Sequence, residues 1–142
     1  MTLPPDDCLD CLKGIRNMES SFGEGFDYTV FSDSKPIAEL GGWDGSSVNW
    51  DLPRGRALEQ LLSQTKNGQI QFKAGAIRIP RLEIDKIIRR YGAENLSYEL
   101  REENGNHYHG HILFSHSLKP KQKTTISSLL VNVYIEYHKL VQ

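Results

Sequence analysis

Apolar residues recur at every third position through Leu9, Leu12, Ile15 and Met18, with Asp6 or Asp7 ahead of them and Gly23 behind. That spacing predicts an amphipathic first helix, N-capped by an aspartate and carrying acids in its first turn, where they complement the dipole. Residues 26–31 are rich in β formers, residues 32–36 make a turn, and residues 37–43 return as a second strand. Gly41, Gly42 and Gly45 loosen the stretch that follows, which carries Trp43 and Trp50.

A second helix is expected over residues 54–65, with Leu52, Leu58, Leu61 and Leu62 on its buried face and Asn67-Gly68 as its stop. Residues 69–73 and 76–79 read as short strands around Gly75. After Pro80, the positions of Leu82, Ile84, Ile87, Ile88 and Tyr91 predict another helix, ended by Gly92. Residues 96–102 and 107–115 flank Asn104-Gly105, the strongest two-residue hairpin signal in the chain. A basic linker at 119–123 leads to a final helix through Leu129, Leu130, Val133, Tyr134 and Tyr137, with a strand at 131–135 as the alternative. Helices and antiparallel strands mix without regular alternation. The expected fold is therefore α+β: a single domain over residues 1–142, its antiparallel sheet with an Asn-Gly hairpin at 96–115 packed against three to four helices.

Composition narrows the class. The 142 residues are 25% charged and 38% apolar, a globular balance, and no apolar run approaches the roughly 18 residues that span a bilayer. The first residues lack the basic and apolar regions of a secretory signal, and two cysteines are too few for a disulfide framework, so the cytoplasm is the expected location. The net charge of −1 hides a split: three bases stand against ten acids in residues 1–53, and nine bases against three acids in residues 54–90. Packing of the two segments together is expected to cancel most of it.

The chemistry is concentrated late. All five histidines fall in the last quarter, and His107, His109 and His111 alternate. On a strand they share a face, and a regular hairpin pairs Glu102 with His107, Leu100 with His109 and Tyr98 with His111. Strand spacing lets only one His-x-His pair converge on a single ion, the better candidate being His109 with His111. The third ligand is then sought among Glu102, His116, His138, Cys8 and Cys11. Cys8-Leu9-Asp10-Cys11 itself reads as buried cysteines on the first helix, because surrounding aspartates oppose thiolate formation. No phosphate-cradling glycine loop, nucleophile elbow or classical zinc signature is present.

His109-Gly110-His111, or His107-Tyr108-His109, on a strand followed by a helix bearing Tyr134 and Tyr137 resembles the layout of HUH nicking endonucleases. That resemblance implies a divalent metal on the paired histidines and attack on DNA by the tyrosine. Glycine or tyrosine replaces their usual aliphatic residue between the histidines, and the Lys or Gln spacing after the tyrosine is absent, so the family is not assigned.

Three readings follow. The leading one is a non-enzymatic interaction module, an adaptor, inhibitor or immunity-type protein engaging a macromolecular partner, foremost a protein, through a charge-polarised surface, with Trp43 and Trp50 as candidate anchors and no cofactor. The second is a histidine-dependent nuclease or phosphodiesterase using His107, His109 and His111 with Glu102 or Tyr137, a divalent metal being the one cofactor it admits. The third is nucleic-acid binding through residues 73–90, with Arg78, Arg81, Arg89 and Arg90 as phosphate contacts.

Overall fold

The computed structural model describes residues 1–16, 21–22 and 25–140. In chain order the elements are β1 (Asp10–Ile15), β2 (Ser21–Phe22), β3 (Gly25–Phe26), a 3₁₀ turn (Tyr28–Phe31), β4 (Lys35–Pro36) and β5 (Trp43–Trp50). There follow α1 (Ala57–Leu62), β6 (Thr65–Lys66), β7 (Gln69–Ile70), β8 (Gly75–Pro80) and α2 (Arg81–Tyr91). The chain closes with β9 (Leu96–Leu100), β10 (His109–Ser115), α3 (Pro120–Asn132) and β11 (Glu136–His138).

Among the described residues the dominant unit is one antiparallel sheet in the order β11-β8-β1-β5-β10-β9, with β4 added alongside β5. One face carries Cys11, Ile15, Val48, Trp50, Ile77, Ile79, Ile112 and Phe114 against Ile84 and Ile87 of α2 and Ile126 and Leu130 of α3. The other is covered over its middle by α1, where Ala57 and Leu61 meet Leu12, Phe72, Ala76 and Tyr108. Farther along that face, on β10 and β9, stand His109, His111 and Glu99 instead of hydrocarbon.

The architecture corrects the expectation of a sheet packed against three to four helices. Sheet dominates; among the described residues only three α-helices form, two of them on the main core, so α+β holds only broadly. The predicted first helix is strand β1. Cys11, Leu12, Lys13, Gly14 and Ile15 are all buried, because a strand between β8 and β5 is covered on both faces and loses the alternation that marks a strand in sequence. Met18 and Gly23, the end of that predicted helix, lie outside the described residues.

Other segments shift as well. Residues 28–31 form a 3₁₀ turn whose N-cap Asp27 accepts a hydrogen bond from Thr29 N, not a strand. Strand β5 occupies the stretch that looked loosened by glycine, and residues 37–42 are its entry loop. The predicted 54–65 helix shrinks to Ala57–Leu62, and Thr65–Lys66 pairs with Gln69–Ile70 as a small hairpin. Lys119–Lys123 is no linker: Lys119 caps α3, its N–H donating to Gln122 Oε1 at 2.9 Å, and Pro120 begins the helix. That helix ends at Asn132, and Tyr137 lies on edge strand β11.

The hairpin at 96–115 forms, in a different register. At its tip Glu103 bridges Asn106 around Asn104 and Gly105, both with positive φ as a type I′ turn requires. Farther down, His111 pairs with Glu99 and Ile112 with Tyr98. Two residues, His107 and Tyr108, are thus accommodated opposite the single Glu102, a β-bulge. A one-residue slip exchanges faces. The histidines therefore stand with Glu99, not with Tyr98 and Leu100.

Candidate metal centre

Strand β10 aims His109 and His111 to the same face, where their rings meet edge to face at 4.8 Å between centroids. Both are buried. His109 Nδ1 lies 2.9 Å from the Arg101 carbonyl oxygen, which can only accept, so this nitrogen carries the proton. His111 Nδ1 lies 2.8 Å from Glu99 Oε2 and donates to it in the same way. In both rings the lone pair is thereby left on Nε2; that of His109 faces Ser47 Oγ at 3.3 Å.

Glu99 is the support of the arrangement. Its side chain is 1% exposed and is gripped by Arg101, with Nε to Oε2 at 2.9 Å and Nη2 to Oε1 at 3.0 Å. Burial works to raise its pKa, but the hydrogen bonds from Arg101 and His111 outweigh it and leave Glu99 below the usual carboxylate range. Burial lowers the pKa of His111 against the pull of Glu99, with the neighbouring His109 adding to the effect, so the ring is neutral near pH 7. Glu103 at the hairpin tip is the third candidate donor; its Oε2 lies 3.4 Å from His109 Nδ1, on the protonated side of that ring, so its carboxylate has to turn to share an ion with Nε2. One donor atom from each of Glu103, His109 and His111 lies within 4.8 Å of the others, and no other such group occurs among the described residues.

Small residues make room for the pair. A methyl at Gly45 of β5 would lie 2.8 Å from His111 Cδ2 and would collide with Ile37. One at Gly110 would come within 2.5 Å of the Trp50 indole nitrogen and would strike the Glu99 carbonyl. That carbonyl accepts the indole N–H at 2.8 Å, so Gly110 lets β9, β10 and Trp50 close on one another.

Beside His109 opens a polar cleft of about 420 Å³, with Arg16, Asp33, Gln64, Gln71 and Asn106 among its walls. A chain of amides builds its floor. Asn106 Nδ2 donates to Asn49 Oδ1 at 3.0 Å, and Asn49 Nδ2 donates to Gln60 Oε1 at 2.8 Å and to the Ala57 carbonyl at 3.0 Å. Asn106 Oδ1 also accepts from Tyr108 N at 3.0 Å, holding the bulge in place. At the back, Lys13 Nζ is 2.7 Å from Asp33 Oδ2 and donates to the Ser47 carbonyl at 2.9 Å, while Ser46 Oγ donates to Asp33 Oδ1 at 2.6 Å.

The other candidates from sequence lie elsewhere. His107 is exposed in the bulge, against the Tyr108 ring at 4.2 Å, and lines a separate hollow with Glu102. Tyr137 donates to the Ala74 carbonyl at 2.6 Å on the opposite edge of the sheet. Three strands separate β11 from β10, or roughly 19 Å at the usual strand spacing. The metal-and-tyrosine layout of HUH enzymes is therefore not assembled. His116 bonds Asp44 at 2.7 Å and His138 bonds Glu136 at 2.9 Å.

Trp50 is fully buried and Trp43 half-buried at the start of β5. Arg78 sits among Asp10, Asp51 and Glu136, so acids of the first segment neutralise a base of the second. Arg81 donates to Tyr98 Oη at 3.0 Å and to the Pro5 carbonyl at 2.7 Å. Arg89 and Arg90 are exposed on α2. Cys8 and Cys11 are buried free thiols, on and before a strand instead of a helix, and burial raises both pKa values.

No protein family, curated protein or solved structure matches this chain. Sequence reasoning missed Glu99 and Glu103 as partners of the histidines, because both depend on the bulge. The one local signal available for Glu103 is its place beside the Asn-Gly turn, which sequence reasoning did not use.

Proposed function

We propose that the protein is a metal-assisted phosphodiesterase or nuclease, with His109, His111 and Glu103 holding a divalent cation. The observation that supports this most is the pair of Nδ1 hydrogen bonds, one to a backbone carbonyl and one to a buried carboxylate. Metal-binding histidines are characteristically fixed in this manner, which sets the tautomer and raises the basicity of the other nitrogen. Two imidazoles and one carboxylate are also the donor set of catalytic zinc sites that keep a fourth position open. The cation would supply a Lewis acid for a phosphoryl oxygen and an activated water. His109 and His111 orient it, Glu99 and Arg101 hold His111 still, and Glu103 closes the donor set from the hairpin tip. Phosphodiester is favoured over other substrates by Arg16 on the cleft wall and by Lys66 and Lys73, which adjoin the lining residues Thr65 and Phe72 in sequence.

Metal content by mass spectrometry and hydrolysis of bis(p-nitrophenyl) phosphate, RNA and DNA test the reading. His109→Ala and His111→Ala are expected to lose both metal and activity with unchanged circular dichroism. A wild-type protein that takes up neither zinc, manganese nor magnesium overturns it.

The interaction-module reading has its own support. Leu9 and Leu82 are 69% and 64% exposed and flank a groove of about 500 Å³ that also carries Asp6, Asp10 and Asp85. Arg81 also lines the groove, so its three acids leave a net negative wall that suits a basic, aliphatic segment of a protein partner. Leu82→Asp is expected to abolish such binding while sparing metal uptake. No helix among the described residues is long and apolar enough to cross a membrane; the two free thiols favour a reducing compartment, the cytoplasm.

A further inference from the structure

We infer that the cleft beside His109 takes a single unpaired nucleotide of a single-stranded nucleic acid, Arg16 meeting phosphate and the Asp33 carboxylate selecting bases that carry an amino group. The inference rests on the hydrolytic reading above and narrows its substrate. Size comes first. At about 420 Å³ the cleft falls toward the low end of small-ligand pockets, which run from about 300 to 1,000 Å³. One nucleotide unit fits such a space, whereas a paired base must leave its stack before entering.

The walls carry the second argument. Gln64, Gln71 and Asn104 offer amides, the groups that read the edges of splayed-out bases. Asp33 is different in kind. Lys13 Nζ and Ser46 Oγ hold its two oxygens at 2.7 and 2.6 Å, and Lys13 is tied to the backbone of Ser47. Lys13 is 1% exposed on a face otherwise filled by Cys11, Ile15 and Val48. An apolar side chain would fill that position at lower desolvation cost. What the lysine provides is an ionised, immobile carboxylate on the cleft wall. A carboxylate only accepts hydrogen bonds, so it favours the amino group of cytosine over the carbonyl oxygen that uracil carries at the same ring position.

The test uses the full chain carrying His109→Ala and His111→Ala, so that strands are bound and not cut. Fluorescently labelled short oligocytidylate is expected to bind about tenfold more tightly than oligouridylate, the discrimination of one good carboxylate–amino contact. It is also expected to bind more tightly than the same strand annealed to its complement. Arg16→Ala, at an exposed position, weakens both strands alike and flattens the salt dependence. Asp33→Asn erases the preference for cytidine. Equal affinity for the two single strands, or a preference for the duplex, overturns the inference even where the variant at Asp33 fails to fold. If strands fail to bind while the wild type still hydrolyses bis(p-nitrophenyl) phosphate with metal, this inference falls alone. If strands bind with the expected preference and the wild type takes up no metal, the hydrolytic reading falls instead.

Discussion

Glu99 and His111 stand directly opposite one another on β9 and β10, and their side chains meet at 2.8 Å in a place closed to solvent. The carboxylate orients the ring, and Arg101 orients the carboxylate. Removing it leaves the ring in place and takes away its orientation. Glu99→Gln is expected to lower metal affinity about 10- to 100-fold, the usual cost of losing such a partner. Calorimetric titration with zinc checks this, and an unchanged affinity would count against the metal centre.

Lys13 and Asp33 form a buried pair, and breaking one half strands the other. Lys13→Met is expected to destabilise the fold by about 3–5 kcal/mol, because Asp33 is left without its counter-charge. The double variant Lys13→Met, Asp33→Leu should recover most of that loss. Urea unfolding of the three proteins measures the difference; a double variant as unstable as the single one would show that the pair is not the cause.

Acid should unfold this protein through two carboxylates. Burial pushes Asp33 upward, yet Lys13 and the hydrogen bonds from Lys13 and Ser46 prevail and leave it below its ordinary value. Glu99 is depressed for the parallel reason. A depressed carboxylate binds fewer protons in the native state than in the unfolded chain. Its stabilisation is therefore complete above the unfolded pKa of about 4 and is lost as pH falls through the native value. The urea midpoint should begin to slip below about pH 6.5, where the unfolded chain protonates the His111 imidazole that burial keeps neutral in the native state. It should drop more steeply below about pH 4, with a smaller drop in the double variant of Lys13 and Asp33.

Asn106 ties the hairpin tip to Asn49 and to Tyr108 N. Asn106→Ala leaves both without a partner, at an expected cost of about 1–3 kcal/mol. Thermal unfolding reads the stability, and zinc titration reads whether the bulge persists. Loss of stability with intact metal affinity would show that the bulge does not depend on this amide.

Gly110→Ala places a methyl against the Glu99 carbonyl and the Trp50 indole. Overpacking of this kind costs about 1–3 kcal/mol, and Trp50 fluorescence should report the displaced ring. A variant as stable as wild type would mean that β9 and β10 yield easily at this point.

Parts of this fold were legible from residues alone. Pro80 and Gly92 bracket α2 as their chemistry requires, and Asn104-Gly105 makes the hairpin turn. Strand β1 was hidden because its burial is two-sided and because Lys13, a charge, occupies a core position. Strand β5 was hidden by Gly45, Ser46 and Ser47, whose smallness serves His111 and the Lys13–Asp33 pair and has nothing to do with a turn. The histidine pair itself was visible, but its company was not. The bulge that turns it toward Glu99 is held by Asn49, 57 positions away from Asn106, and no local rule reaches so far.

The bulge at His107 and Tyr108 makes the hairpin tip an odd-even counter. Deleting one of those two residues would restore a regular ladder that still sets His111 opposite Glu99. Deleting both would slide the strand by one place and turn the imidazoles to the side occupied by α2 and α3, burying polar rings in hydrocarbon. The tip tolerates the loss of its one surplus residue and no more, so the count between Glu103 and His109 is as much a part of the centre as the side chains themselves.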